Sequence, residues 1–452
     1  MSTDIKNNTE LADVARLFFG DDFPHIEVAA DCGNTFGVFI DGKQYAFTYD
    51  GDAYGVIPQA HRTTRLSKIA LYDALSAHTG RKMIWGALTG VRPTKLFYEC
   101  LNGGYSLDEC ADILKTVYRI DGSRAEILKE IVTVQSGKVR FPSDCINLYV
   151  HIPYCTTRCT YCSFVSTPID KNMAQAERYV DLLCDEVKRS LDFLYAHGKK
   201  ILSVYIGGGT PTALDDGLLR KLLDGIGVHD CEYTCEAGRP DTVTESKADI
   251  IKEHGVTRVC VNPQTLNDAT LAAIGRRHTA EDFFRAFETV KSRGFDINCD
   301  LIAGLADETL DIFIESFEKT KALKPQNITV HSLSKKNGSE IRYAAGENAC
   351  ASEMTDYALS HLGDYRPYYL YRQKRQAGNL ENVGFSLPDK ECINNITTME
   401  ESVGVMACGA GAISKIVKGG NIVRFANMRD VALYIDRYEE KLKAKFDCFE
   451  NN

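Results

Sequence analysis

Three things are missing from this 452-residue chain. No apolar run approaches the roughly 18 residues that cross a bilayer, so a membrane span is not expected. No basic block stands out, and a net charge of −9 argues against nucleic acid as the main partner. The opening residues, Met1-Ser2-Thr3-Asp4-Ile5-Lys6-Asn7-Asn8, lack the apolar stretch of a secretory signal. Cysteine is plentiful instead. Its 16 copies are scattered through helical and strand patterns, in a chain long enough to fold without covalent staples. Reduced thiols in a soluble, cytoplasmic protein of two or three domains are the expectation.

One stretch organises the rest. Ile146 to Ile152 is rich in β-branched and aromatic residues and stops at Pro153, so it reads as a short buried strand. Cys155, Cys159 and Cys162 follow on one loop, spaced C-x3-C-x2-C. Three thiolates on one loop suit three irons of a [4Fe–4S] cluster and leave the fourth iron without a protein ligand. That open iron is what chelation by S-adenosylmethionine needs. The spacing after a strand resembles the radical S-adenosylmethionine superfamily. A structural zinc site is the alternative, and it would recruit Cys145 as a fourth ligand.

The chain divides into three regions by pattern. Residues 1–140 read as an α+β accessory domain. It has a helix over Glu10–Phe19, strands near Ile26–Ala29, Thr35–Ile40 and Gln44–Tyr49, a turn at Asp41-Gly42, and helices from Arg65, over Ser106–Val117 and over Arg124–Gln135. Gly90-Val91-Arg92-Pro93-Thr94-Lys95 interrupts that helical pattern. Residues 141–333 alternate strand and helix. Their strands fall at Ile146–Ile152, Leu202–Ile206, Glu232–Ala237, Arg258–Val261, Ile297–Leu301 and Ile328–His331. Helical crossovers between six strands imply a parallel sheet with right-handed connections, an open (β/α)6 partial TIM barrel with its site at the carboxyl ends. Residues 334–452 read as a mostly helical C-terminal domain.

Candidate ligand residues fall just after those strands. Gly207-Gly208-Gly209-Thr210 lets backbone approach a ligand closely. Glu236 ends the third strand, where a carboxylate meets an ammonium or a ribose hydroxyl. Gln264 follows the fourth strand, Arg276 lies beyond the next helical turn, and Asp300 ends the fifth strand. Tyr365, Tyr368, Tyr369 and Tyr371, with Arg366, Arg372, Lys374 and Arg375, suit a tetrapyrrole bearing propionates: aromatic faces for the ring, charged donors for the carboxylates. A basic amphipathic segment packed on the barrel is the other reading of that stretch.

Leu148-Tyr149-Val150-His151-Ile152-Pro153, Gly207-Gly208-Gly209-Thr210-Pro211-Thr212 and Asp300-Leu301-Ile302-Ala303-Gly304-Leu305 together resemble the oxygen-independent coproporphyrinogen III oxidase (dehydrogenase) family. Gly90–Lys95, Tyr368–Lys374 and Gly378–Gly384 make the HemZ-type branch the most similar. The resemblance implies a radical S-adenosylmethionine fold, and positions matching the family's cofactor residues. Tyr149 would position the methyl end of S-adenosylmethionine, and Tyr161 would lie beside the cluster. Gly208, Gly209, Thr210 and Glu236 would hold a first S-adenosylmethionine, and Gln264, Arg276 and Asp300 a second. Gly404–Gly411 resembles a close-packed structural turn of the same family.

The implied reaction is decarboxylation of two propionates of coproporphyrinogen III to the vinyl groups of protoporphyrinogen IX, started by a 5′-deoxyadenosyl radical. No catalytic side chain is assigned beyond those holding cluster and cofactor. Arg372, Lys374 and Tyr371 are the substrate candidates, and a flavodoxin or ferredoxin is the implied electron donor. The family's type enzyme carries a fourth cysteine where this chain has Phe164. Relatives with phenylalanine there act as haem chaperones, which is the rival reading.

Overall fold

The computed structural model describes residues 2–30, 34–90, 92–164, 166–228, 230–334, 350–373 and 380–452. Contacts divide the chain into two units. The first holds the residues up to Val134 and takes in the segment from Leu370 to Glu381; most of the remainder forms the second. No helix among the described residues is long and apolar enough to cross a membrane.

In the first unit a four-stranded antiparallel sheet runs Ser2–Asp4, Ile26–Ala30, Thr35–Ile40, Lys43–Thr48. Asp41-Gly42 makes the expected turn, with φ of 46° and 80°. Helix Arg62–Thr79 starts earlier than the pattern suggested, and helix Pro93–Asn102 was not foreseen. The Gly90–Lys95 interruption contains that helix's start: proline fits the first helical turn, where its missing N–H costs nothing. Arg372 and Tyr371 belong to the strand Arg366–Arg372. Arg372 is buried, donates to the Leu88 carbonyl at 2.7 Å and lies over the Trp85 ring.

The second unit is built on six parallel strands that neighbour one another in chain order: Cys145–Ile152, Lys200–Gly208, Glu232–Glu236, Arg258–Cys260, Asp296–Ala303 and Asn327–Ser332. Leu148, Val150, Val204 and Ile206 are fully buried, as expected of a sheet covered on both faces. Side-chain caps start four of the helices between these strands. Asp215, Thr244, Thr279 and Thr309 each accept a backbone N–H from three residues on.

The outer strands of this set do not pair with each other. Cys145–Ile152 pairs with Gly404–Cys408, and Asn327–Ser332 pairs with Glu381–Ser386. The sheet therefore stays open. It continues through Ile413–Lys418 and Asn421–Ala426 on one side. The C-terminal region, expected to be mostly helical, thus contributes strands as well as the helices Cys350–Ser360, Ile393–Glu400, Val431–Asp436 and Tyr438–Glu450. Gly404–Cys408 also pairs with Ile413–Lys418 nearby in sequence, but its place beside the first strand is a long-range contact that local pattern does not announce.

A buried polar network anchors this addition to the first strand. Lys445 Nζ donates to Glu186 Oε1 at 2.7 Å, and Gly409 N–H donates to Glu186 Oε2 at 2.8 Å. The Tyr179 hydroxyl donates to the His151 carbonyl at 2.7 Å and accepts the Ala410 N–H at 2.9 Å. A side chain on Gly409 would start 2.5 Å from that hydroxyl, so the Gly404–Gly411 turn is closely packed.

Candidate cluster and cofactor site

Strand register brings the cysteine loop and the glycine turn to one rim. His151 pairs with Gly207 and Ile152 with Gly208, so the cysteine loop and the glycine turn leave adjacent strands side by side. Gly209 N–H donates to the Ile152 carbonyl and Thr210 N–H to the Tyr154 carbonyl, both at 2.7 Å. The loop begins as the short strand Tyr154–Cys155, paired with Thr167–Pro168. The two loops form one laced surface.

None of the three cysteines is in a disulfide. Cys155 Sγ lies 3.4 Å from Thr210 Oγ1, and Cys159 Sγ accepts from Arg239 Nη1 at 3.4 Å. Cys145 opens the strand whose other end leads to Cys155. Seven residue steps at about 3.3 Å put it about 23 Å from that end, so it cannot be a fourth ligand of the same metal. Among the described residues no three candidate ligands gather as tightly as one ion requires. A [4Fe–4S] cluster asks for something else, since each thiolate serves its own iron.

The glycine turn is closely packed. Added Cβ atoms would stand 2.9 Å from Glu236 Oε2 at Gly207, 2.5 Å from the His151 ring at Gly208, and 2.4 Å from the Tyr154 carbonyl oxygen at Gly209. Gly208 also has φ of 103°, a conformation that favours glycine. Glu236 accepts from the Tyr205 hydroxyl at 2.6 Å. Burial pushes its carboxyl up to about 7, against the pull of that hydroxyl and of the Gly208 N–H. Tyr149 stacks on Tyr205 with centroids 6.2 Å apart, and its hydroxyl lies 3.2 Å from His151 Nδ1. Burial holds the His151 imidazole down to about 4, so the ring is neutral.

Gln264 has φ of 67°, unusual for a residue with a side chain, and is held there by hydrogen bonds with Asp300 and Ile302 backbone atoms at 2.9 Å. Asp300 accepts from Asn298 at 2.8 Å and faces His331 Nε2 at 3.6 Å. Burial pushes its carboxyl up, but the His331 ring and the Asn298 and Thr329 donors outweigh that and hold it below the usual range. Arg276 donates to the Tyr161 hydroxyl at 3.0 Å and to the Gly238 and Asn262 carbonyls at 2.9 and 2.8 Å. The structure thus pairs Arg276 with Tyr161, a partnership the sequence did not suggest.

Three residues at this rim escaped the sequence reading: Tyr205, Arg239 and His278. Arg239 sits in a Gly-Arg-Pro turn, where a cation ordinarily faces solvent, yet it is buried. Only an interior contact distinguishes it, and sequence carries no signal for that. Phe164, two residues beyond Cys162, is 54% exposed. Lys374 lies outside the described residues.

The residues present fit an iron–sulfur cluster with a chelating ligand. The loop offers three thiols, the glycine turn packs directly against it, and His151 Nε2 and Gln264 Oε1 are buried without hydrogen-bond partners. Comparison with known proteins points the same way. Residues 149–320 match the family model of the Radical SAM superfamily. The chain is 37% identical over 403 residues to the oxygen-independent coproporphyrinogen-III oxidase-like protein HemZ of Bacillus subtilis, covering 84% of this chain and 80% of that protein. It is 30% identical over 194 residues to the heme chaperone HemW of Escherichia coli, covering 42% of this chain and 50% of that protein. Among solved structures, coproporphyrinogen III oxidase (HemN) from Escherichia coli shares the fold, with a TM-score of 0.54 at 21% identity over 69% of this chain and 72% of that one.

Proposed function

The chain belongs to the oxygen-independent coproporphyrinogen-III oxidase-like family of radical S-adenosylmethionine proteins, and on that premise we propose that it oxidatively decarboxylates two propionates of coproporphyrinogen III to give protoporphyrinogen IX and two molecules of carbon dioxide. Each propionate loses one hydrogen atom and one electron, the electron going to an external one-electron acceptor. The observation that carries this reading is the lacing of the cysteine loop to the glycine turn. It sets three thiols and the glycine turn on one rim.

Cys155, Cys159 and Cys162 would hold a [4Fe–4S] cluster. Together with S-adenosylmethionine, such a cluster supplies one-electron cleavage of the sulfonium and hence hydrogen abstraction. Gly208, Gly209 and Thr210 would line the methionine end, and Glu236 would accept from its amine or from a ribose hydroxyl. Tyr149, held by Tyr205 and His151, walls the methyl side. Tyr161 packs beside the cysteines with its hydroxyl fixed by Arg276. Gln264 and Asp300, with Arg276 at their edge, are assigned to a second S-adenosylmethionine. Arg372 would reach a propionate only by giving up its contact to the Leu88 carbonyl, so the tetrapyrrole contact falls to Tyr371 and Lys374 first. The electron donor is a flavodoxin or ferredoxin, and the compartment is the cytoplasm.

A second reading, a haem-carrying chaperone, is favoured by exposed Phe164 and by the similarity to HemW. Anaerobic incubation of reconstituted protein with coproporphyrinogen III, dithionite and S-adenosylmethionine separates the two. The oxidase forms vinyl-bearing products and makes more deoxyadenosine when substrate is present. Tight haem binding with no vinyl product, even with an electron acceptor supplied, would establish the chaperone instead.

A further inference from the structure

Arg239 follows Glu236 by three residues and opens the short helical turn Pro240–Thr242. Its relative exposure is 3%. Nη2 donates to Thr157 Oγ1 at 2.7 Å, and Nη1 donates to the Thr157 carbonyl at 3.3 Å and to Cys159 Sγ at 3.4 Å. Nε alone goes to a carboxylate, Asp241 Oδ1, at 3.2 Å. Asp241 Oδ2 in turn accepts from Thr156 Oγ1 at 3.1 Å. One buried guanidinium thus contacts Thr157 and Cys159 directly, and reaches Thr156 through its counter-ion.

The local charge does not balance. Arg276, also buried, spends its donors on neutral oxygens: the Tyr161 hydroxyl and the Gly238 and Asn262 carbonyls. Buried His278 adds no charge, because burial and the nearby Arg276 hold its imidazole down to about 3. Two guanidinium groups and one carboxylate leave a net positive charge behind a loop of three cysteines. Buried cations persist where a partner answers them. Three cluster-bound thiolates supply that negative charge.

Taking the cluster reading as given, we propose that Arg239 is a positioning residue that clamps the cysteine loop through Thr157 and raises the reduction potential of the bound cluster through its N–H bond to the Cys159 sulfur. An N–H donated to a coordinating sulfur draws electron density from the iron and favours the reduced state. A positive charge in a low-dielectric interior acts in the same direction.

The test uses the full chain, reconstituted anaerobically, with iron content and an EPR-monitored redox titration as readouts. Arg239→Met should retain iron while its midpoint falls. The ratio of reduced to oxidised cluster at fixed potential should drop at least tenfold, which is 59 mV for one electron. Arg239→Lys, which keeps the charge but not the fork, should fall between. Iron retained with an unchanged midpoint overturns the proposal. If Arg239→Met cannot hold iron, Asp241→Asn decides: losing the counter-charge should raise the midpoint, and a midpoint that stays or falls overturns the proposal. Failure of the wild-type chain to bind iron would instead sink the cluster reading itself.

Discussion

The Tyr205 hydroxyl donates to Glu236 at 2.6 Å, and the same carboxyl stands against the Gly207–Gly208 turn. A buried carboxyl held this way is poised rather than committed: burial brings it up to about 7, near neutral pH.

S-adenosylmethionine affinity should therefore rise as pH increases through about 7, because a carboxylate accepts from the ligand's amine or ribose hydroxyl more strongly than a protonated carboxyl does. Glu236→Gln should weaken binding by about 1.5–3 kcal/mol and flatten the pH profile. Equilibrium binding across this range checks both. The ligand-free chain should respond in the opposite sense. Between the ordinary value of 4.5 and about 7 the folded form holds a proton that the unfolded form has lost, so stability declines as pH rises through this window. Glu236→Gln should remove that part of the slope in denaturant titrations.

Gly208 and Gly209 should fail differently. A side chain at Gly208 meets the His151 ring, which can shift, whereas one at Gly209 meets the Tyr154 carbonyl of the cysteine loop's own backbone. Gly208→Val should keep iron but form no deoxyadenosine under dithionite. Gly209→Ala should lose iron as well. Normal cleavage by Gly208→Val would reduce the turn to a structural element.

Anaerobically purified protein should be brown with about four irons per chain. Cys159→Ala should bleach it, and Cys145→Ser should not, since that thiol lies at the far end of the first strand. Stoichiometric zinc without iron would overturn the cluster assignment.

Lys445→Met should cost about 3–5 kcal/mol, because it leaves the Glu186 carboxylate buried without its cation. The double variant with Glu186→Gln should recover part of the loss in denaturant midpoint. Simple additivity of the two changes would show that the pair is not coupled.

The cysteine spacing, the glycine turn and the strand–helix alternation are properties of neighbouring residues, and local chemistry made them legible. Each strand reads as an apolar run bounded by turn residues, so the order of the six parallel strands followed from the rule that successive crossovers lie side by side. Glu236 and Gln264 could be singled out because strand ends in such a sheet face a common rim, whereas Asp300, expected to end the fifth strand, lies within the longer strand Asp296–Ala303.

Which side chains meet behind that rim was decided by tertiary structure. Arg239, Tyr205 and His278 carry no distinctive spacing, and their roles exist only because strand register and buried turns turn them inward. The same holds for Arg372, a cation in a tyrosine-rich stretch that proved to be a buried strand residue stacked on Trp85. The strands Gly404–Cys408 and Glu381–Ser386 were likewise invisible, since each is stabilised by a partner far away in sequence. Sequence determines what a segment can form by itself. Burial and pairing between distant segments depend on the whole chain closing, and they fixed which charges lie behind the cysteines.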